Sequence, residues 1–311
     1  MQSNISKKLD QWHLGRPQQY KSITMVPLFD KNDEDSGLNY YSLSKALKNG
    51  WVEIKEVSWM GNISSLNVSN KSSNPILIVD GEELAGAKQN RIVNTSILVP
   101  AFEEIHVPVS CTEQKRWSYK SEQFEDSEVL LAANARRNKN VKMSQSLTVG
   151  GHYDADQESI WTDIKSIFSN SGVSSKTLAM KDAFDDRKTD INHFLEALPY
   201  QYGQKGAAIF VNGRLEGLDY ISQTKAYKDL HPKLIKSHAM DVIHQEGYAM
   251  WNCDEDCLKE PINEWLRELG NAQENSYNPV GLGTDYRYDS DKIIGSVLYE
   301  KNPVHVSISR K

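Results

Sequence analysis

The sequence predicts an α+β fold, because strand-like, helix-like and again strand-like segments follow one another along the chain. Residues 20–117 contain short segments that are β-branched or alternate between apolar and polar residues. Residues 125–200 carry apolar side chains three and four positions apart, the spacing of amphipathic helices. Residues 206–311 mix both patterns. We therefore expect a β-rich start, a helical middle and returning β-hairpins within one domain that spans residues 1–311.

Six segments of the first third are predicted to be strands, and Asn, Gly, Ser and Pro residues separate them. They are 22–29, 51–57, 65–70, 75–81, 91–99 and 103–111. This pattern favours an antiparallel sheet or a sandwich. A short helix is expected within residues 39–50, where Gly50 marks its end.

The remainder of the chain alternates between helices and hairpins. Helices are predicted for residues 127–137, 154–169 and 188–198. Asn212-Gly213 lies between two apolar runs and predicts a hairpin over 206–222, since both residues tolerate positive φ. Residues 224–248 indicate either two helices or one helix kinked at Pro232, and residues 292–309 indicate a final hairpin.

One internal similarity has two interpretations. Residues 76–86 and 208–218 both run from apolar residues to Asp or Asn, then Gly, then a second Gly. Two ordinary hairpins explain this, because apolar-Asx-Gly-polar is a common hairpin sequence. The alternative is a duplicated β-unit whose turns face one shared cleft.

Composition and charge limit the class of protein. Apolar residues make up 39 % of the chain and charged residues 25 %, as in soluble globular proteins. The formal net charge of −6 opposes strong non-specific binding to nucleic acid, so nucleic acid is not an expected partner. No apolar run approaches the roughly 20 residues of a membrane helix, so no membrane association is expected. Three cysteines and a start without a signal-peptide core predict a reducing, cytoplasmic location.

The first candidate site is the polar run at residues 82–91, which follows a predicted strand. Gly86 allows close approach of backbone and ligand. Lys88 and Arg91 supply positive charge, while Gln89 and Asn90 supply amide donors and acceptors. We predict that these residues line a ligand site, with a solvated, salt-bridged hairpin as the alternative.

A second polar run, residues 110–117, follows the next apolar strand. Trp117 can stack on a planar ring while Arg116 and Glu113 set its orientation, and Gln114 is a further ligand-binding candidate. The alternative for Trp117 is a place in the core. We expect segments 82–91 and 111–117 to lie within about 4–5 Å of each other, the range of direct contact.

These two runs resemble the ARG and Rhodanese-Phosphatase-superfamily-associated Protein domain family, in which ARG stands for ADP-ribosylglycohydrolase. The matching residues are Gly81, Glu82, Leu84, Gly86, Gln89, Asn90 and Arg91 in the first run, Val109, Ser110, Cys111, Glu113, Arg116 and Trp117 in the second, and Gln157 and Trp161 further on. The resemblance spans roughly residues 20–309. It implies, by association alone, NAD- or ADP-ribose-related nucleotide chemistry, and it implies no particular reaction.

Other residue groups fit catalytic or metal sites poorly. Cys253 and Cys257, with His238 and His244 upstream, are spaced more widely than most zinc pairs. His106 and Cys111 are an odd number of positions apart, so one strand would place them on opposite faces. A charged helix end explains the three acids Asp185, Asp186 and Asp190. We therefore expect no metal and no cofactor.

Three functional hypotheses remain open. The first is a polar cleft that binds a nucleotide or an ADP-ribose- or NAD-related small ligand. The second is an enzyme acting on such a ligand, with Glu82, Glu83 or Glu113 as general acid or base. Glu82 and Glu83 cannot share a face if they continue a strand. The third is a structural or interaction protein, and the sequence leaves the oligomeric state undetermined.

Overall fold

The computed structural model describes residues 12–30, 37–58, 61–245 and 255–311, without the side chains of residues 255 and 256. The strands are β1 (Trp12–Leu14), β2 (Gln18–Tyr20), β3 (Ile23–Asp30), β4 (Tyr41–Ser42), β5 (Val52–Glu56), β6 (Ser65–Asn70), β7 (Ile76–Ile78), β8 (Glu82–Gly86), β9 (Arg91–Val93), β10 (Ile97–Val99), β11 (Glu104–Cys111), β12 (Phe124–Leu130), β13 (Gly206–Val211), β14 (Arg214–Ile221), β15 (Gln273–Tyr277), β16 (Thr284–Asp289), β17 (Ile293–Glu300) and β18 (Asn302–Arg310). The helices are α1 (Leu43–Lys48), α2 (Ala133–Gly150), α3 (Gln157–Ser171), α4 (Met180–Asp186), α5 (Lys188–Ala197), α6 (Thr224–Val242) and α7 (Glu255–Asn271).

The largest sheet combines the two ends of the described chain. Its nine strands run in the order β1-β3-β13-β14-β18-β17-β16-β15, with β2 also paired to β3, and all pairs are antiparallel. Side chains alternate between its faces, as the pleat requires. Val26 and Phe210 pack with Leu258 and Ile262 of α7 on one face. On the other face, Met25 joins side chains of α5 and α6.

A six-stranded sheet forms a half-barrel in the order β12-β8-β9-β11-β6-β5. Its ends approach each other, because Gln123 Nε2, just before β12, donates to Glu53 Oε1 on β5 over 2.6 Å. Leu66, Val68 and Val107 fill the interior together with Leu43 of α1. A three-stranded sheet, β10-β7-β4, is built from strands that alternate along the chain with pairs of strands of the six-stranded sheet. The predicted α+β class is confirmed.

One predicted helix start was wrong. Residues 127–137 were expected to be helical, but Phe124–Leu130 form β12 and the helix begins only at Ala133. The β12 strand covers the edge of β8, where Leu130 pairs with Glu82, and its register shifts between Asp126 and Leu130. Glu128, with a φ of 61°, lies in this bulge. Four positions along β12 here oppose only two along β8, and the two extra residues disturb the two-residue alternation, so the segment imitates a helical pattern.

The two similar segments do not fold alike. Asn212 and Gly213, with φ values of 49° and 78°, form the predicted tight turn, across which Val211 pairs with Arg214. In contrast, β7 and β8 lie in different sheets, so residues 76–86 do not form a hairpin. The predicted strand 91–99 is likewise divided between two sheets, as β9 and β10. The residues of 224–242 form one helix through Pro232, and 246–248 lie outside the described residues.

Candidate functional site

The two polar runs lie against each other, as expected from the sequence. Gln89 Nε2 donates to the Glu113 carbonyl oxygen over 2.8 Å, and Thr112 N donates to the Asn90 carbonyl oxygen over 3.0 Å. The first run comprises all of β8, the turn that follows and the first residue of β9, and the second comprises the last two residues of β11 and the segment after them. Because β9 pairs with both β8 and β11, the sheet itself brings the runs together.

The turn between β8 and β9 requires a glycine at its start. Gly86 has a φ of 126°, and a Cβ there would lie 2.5 Å from Ser121 Oγ and 2.9 Å from the Gln123 carbonyl oxygen. The Gly86 N–H donates to Asn90 Oδ1 over 3.1 Å, which closes the turn. Asn90 thus has a structural partner within its own turn.

Arg116 holds this turn from the opposite run. Its guanidinium donates to the carbonyl oxygens of Ala87 (2.6 Å), Ser118 (2.8 Å) and Gly86 (3.1 Å). It also forms a 2.6 Å ion pair with Glu113. Burial opposes ionisation of Glu113, but hydrogen bonds from Arg116 and Thr177 outweigh it and hold the Glu113 pKa below its usual value. Arg116 and Glu113 therefore stabilise the turn with much of their hydrogen-bonding capacity.

Arg91 differs, because it is fully buried and incompletely paired. Its Nη1 donates to Gln89 Oε1 over 2.9 Å, and its Nη2 lies 3.8 Å from Glu56 Oε1. Among the described residues, Arg91 Nε and Nη2 and both Glu56 carboxylate oxygens have no hydrogen-bond partner. Burial lowers the pKa of Arg91. Unpaired buried polar atoms of this kind cost about 1–3 kcal/mol each, so the pair calls for a function or a further partner.

Exposed aromatic rings and a groove lie beside this pair. Trp117 is 47 % exposed and Tyr119 51 %. Lys88 Nζ lies 5.3 Å from the Trp117 ring centre and 5.1 Å from that of Tyr119, and the Arg91 guanidinium lies 5.6 Å from the Trp117 ring. A groove of about 510 Å³ is lined by Lys55, Glu56, Ser58, Tyr119, Lys120 and neighbouring residues. Glu56 thus connects the groove to the incompletely paired Arg91.

The remaining candidates lie away from the groove. Glu82 and Glu83 point to opposite sides of β8, as expected for neighbours on a strand. Glu82 Oε1 accepts from Lys233 Nζ and its Oε2 from Val79 N, both over 2.7 Å. Gln114 is half-buried.

Glu83 has the most perturbed carboxyl of the three candidates. Burial raises the pKa of Glu83 to about 7, although the Thr112 hydroxyl donates to its Oε1 over 2.6 Å. Its Oε2 has no partner among the residues that the structure describes. Glu83 is nevertheless completely buried, and it does not line the groove. It has the proton affinity of a general acid or base without access to a substrate.

Sequence reasoning missed a buried ionic network centred on Arg136. Arg136 Nη2 lies 2.8 Å from Asp80 Oδ1 and 2.7 Å from Asp219 Oδ1. Lys139 Nζ lies 3.2 Å from Asp80 Oδ2, and His305 Nε2 lies 3.4 Å from Asp219 Oδ1. The network joins α2 to the nine-stranded sheet and to the turn before β8. Charged residues inside otherwise apolar runs indicate buried charges, and this was the signal that the sequence offered. Which of these residues pair could not be predicted, because the partners are far apart in the sequence.

The cysteines and the acid-rich segment do not form a metal site in the described part of the chain. There, no group of three or more His, Cys, Asp or Glu residues is placed to hold a metal ion. Cys111 is a buried free thiol whose pKa is raised by burial, on the opposite face of β11 from His106. Cys257 is disulfide-bonded, and Cys253 lies outside the described residues. Asp185 pairs with Lys181 over 2.6 Å.

Comparison with known proteins identifies the family. The model of the ARG and Rhodanese-Phosphatase-superfamily-associated Protein domain, ARPP-1, matches residues 11–309. The chain belongs to this family. No curated protein and no solved structure matches it. Among the described residues, no helix is long and apolar enough to span a membrane.

Proposed function

We propose that this member of the ARPP-1 family binds a nucleotide or an ADP-ribose- or NAD-related small ligand in the groove beside Trp117 and Tyr119. The observation that carries the proposal is the Arg91–Glu56 pair, in which two guanidinium nitrogens and both carboxylate oxygens are buried without a hydrogen-bond partner in the described structure. In native proteins such groups are few, and a bound ligand or water usually satisfies them. The family's association with ADP-ribosylglycohydrolases supports the choice of ligand class.

The groove offers the contacts that such a ligand needs. The exposed rings of Trp117 and Tyr119 provide surfaces on which a base can stack. Lys55 and Lys120 line the groove and supply positive charge for phosphate groups. Glu56 also lines the groove, and a side-chain shift that exposes its buried carboxylate would let it accept hydrogen bonds from a ribose hydroxyl or an exocyclic amine.

Binding is favoured over catalysis by the state of the three glutamates. Glu82 and Glu113 are committed to ion pairs with Lys233 and Arg116. Glu83 has a pKa near 7 but is completely buried. A general acid or base must come within hydrogen-bond reach of its substrate, so we do not assign a catalytic role to these residues.

Thermal melting with ADP-ribose, NAD and AMP tests the proposal. A ligand present at one hundred times its Kd stabilises the folded state by about 2.7 kcal/mol. At roughly 2–4 °C per kcal/mol or somewhat less for a chain of this length, we expect at least one of these ligands to raise the Tm by several degrees. Replacing Trp117 and Tyr119 together with Ala should abolish the shift.

A matched control is available in Tyr202, an aromatic residue that is 97 % exposed and does not line the groove. Tyr202→Ala should retain the full ligand-induced shift. The proposal fails if none of the three ligands shifts the wild-type Tm at millimolar concentration. It also fails if the double variant keeps the same shift as Tyr202→Ala.

A further inference from the structure

A second cavity lies on another part of the molecule. It has a volume of about 340 Å³ and is enclosed by the first turn of α2, the β13–β14 hairpin and the last turns of α6. This volume is at the lower end of the range for small-molecule sites. None of its lining residues lines the groove described above, so the inference does not depend on the proposed function.

The mouth of the cavity carries an excess of positive charge. Arg137 Nη1 lies 4.0 Å from Glu216 Oε2, whereas Arg214 Nε and Arg310 Nε each lie 3.3 Å from Glu216 Oε1. Three arginines thus share a single carboxylate. Of these residues, Arg137, Arg214 and Glu216 line the cavity itself. The deeper Arg136 adds no free charge, because Asp80 and Asp219 neutralise it.

The interior of the cavity is polar and includes a buried histidine. His238 is 6 % exposed and lines the cavity, and its ring takes part in no hydrogen bond between described residues. Burial lowers the pKa of His238 to about 4, so at neutral pH its ring has one donor and one acceptor nitrogen. Gly217 makes room for this ring, since a Cβ there would lie 3.1 Å from His238 Cε1.

Further hydrogen-bonding groups surround the histidine. Asp241 lines the cavity and accepts from the Asn134 N–H over 2.7 Å. Ser309 and the amide side chains of Asn212 and Gln245 also line it. Such short polar groups suit the hydroxyl groups of a polyol, whereas an apolar ligand would leave them unpaired.

We propose that this cavity binds a small hydroxylated anion of the size of a pentose phosphate. The phosphate is held at the mouth by Arg137 and Arg214, because guanidinium groups bind phosphate oxygens through paired, charge-assisted hydrogen bonds. The hydroxyl groups lie inside, toward His238 and Asp241. The buried, unpaired imidazole and the three arginines around one carboxylate are independent observations, and both point to this ligand chemistry.

Isothermal titration with ribose 5-phosphate, inorganic phosphate and ribose tests the inference. Ribose 5-phosphate should bind at least roughly tenfold more tightly than either fragment, since only the intact molecule uses both the mouth and the interior. Replacing Arg137 and Arg214 together with Gln should abolish detectable binding. Arg267→Gln serves as a control, because Arg267 is about as exposed as Arg214 and pairs with Glu260 on the surface of α7.

Glu216→Gln should strengthen binding, whereas the arginine double variant should abolish it. Removing the single carboxylate frees the surrounding arginines, so we expect ribose 5-phosphate to bind several-fold more tightly. A purely structural role for Glu216 predicts a lower Tm and no gain in affinity. Replacing Trp117 with Ala should leave binding of ribose 5-phosphate unchanged, which separates this site from the groove.

Three results would overturn the inference. The first is the absence of saturable binding of ribose 5-phosphate to the wild type, measured at two temperatures so that a binding enthalpy near zero at one of them is not mistaken for no binding. The titration should extend to about 10 mM, well above the usual range of Kd for specific small ligands. The second is equal affinity for inorganic phosphate and ribose 5-phosphate. The third is a folded Arg137 and Arg214 double variant that binds as well as Arg267→Gln does.

Discussion

Arg91 and Arg116 show how one residue type takes two roles within one site. Arg116 donates to three backbone carbonyl oxygens and pairs with Glu113. Arg91 is fully buried, yet two of its three guanidinium nitrogens form no hydrogen bond in the described structure. The first arrangement is that of a structural support, and the second leaves buried donors unsatisfied behind Glu56, which lines the groove.

Replacing Arg116 with Ala should therefore destabilise the free protein. The change leaves the Glu113 carboxylate without its partner and removes donors from the Gly86–Ala87 backbone. We expect a loss of about 2–4 kcal/mol in the free energy of unfolding, measured in urea. An unchanged midpoint would show that Arg116 does not hold the turn. Lys120→Ala, an exposed change on the same surface, should have little effect.

At the scale of single elements, local pattern predicted most strands and helices, and tertiary pairing decided the exceptions. The strand at 65–70 and the Asn212-Gly213 turn form where alternation and turn chemistry place them. The end of β12 was misassigned because its bulge depends on pairing with β8, which is distant in sequence. The polar runs were located from their composition, but the partners of Arg116 and Arg91 depend on the sheet that brings the runs together. Glu56 was missed for the same reason.

Helix α2 supplies a pH-dependent prediction through Asp241. The N-cap residue, Ala132, has no side-chain cap, and Asp241 of α6 accepts from the Asn134 N–H instead. Burial raises the pKa of Asp241 to about 7, and its accessible part faces the cavity. Since the unfolded value is about 3.9, the folded state takes up a proton between these values, and stability falls as pH rises from about 4 to 7.

Asp241→Asn should remove this penalty, because the amide oxygen can still accept from Asn134. At pH 8 we expect the free energy of unfolding of the variant to be about 1–3 kcal/mol larger than that of the wild type. Near pH 4 the difference should almost disappear, since the wild-type carboxyl is then neutral in the folded state and about half neutral in the unfolded state. Urea denaturation at both pH values measures this. A variant that is equally destabilised at pH 4 and pH 8 would show that the titration of Asp241 does not cause the pH dependence of stability.

On the scale of the whole molecule, the network around Arg136 connects separate layers. Asp80 lies before β8, Asp219 on β14, His305 on β18 and Lys139 on α2. Burial alone would raise the pKa of Asp219, but the charge and the hydrogen bonds of Arg136 hold it below its usual range. A lowered pKa gives stability that is present above about pH 4 and lost as the pH falls further. The network around Arg136 could not be predicted from the sequence, because its residues come from distant parts of the chain.

Replacing Asp219 with Ala should be far more costly than breaking an exposed pair. It leaves the buried Arg136 without one of its two carboxylates, and we expect a loss of about 3–5 kcal/mol. Lys292→Ala, which breaks the exposed Lys292–Glu264 pair, should cost less than about 1 kcal/mol. Urea denaturation of the two variants makes the comparison. Similar losses would show that the network does not join the layers.

Hydrogen–deuterium exchange with and without ADP-ribose locates the ligand most directly. If the ligand binds in the groove, the amides of residues 52–58 and 117–122 should exchange more slowly in its presence, because binding suppresses local opening of the segments it contacts. Residues 133–137 and 211–219, around the second cavity, should change little. Unaltered exchange at 52–58 and 117–122 with a saturating ligand, or protection confined to the second cavity, would contradict the assignment of the groove as the ligand site.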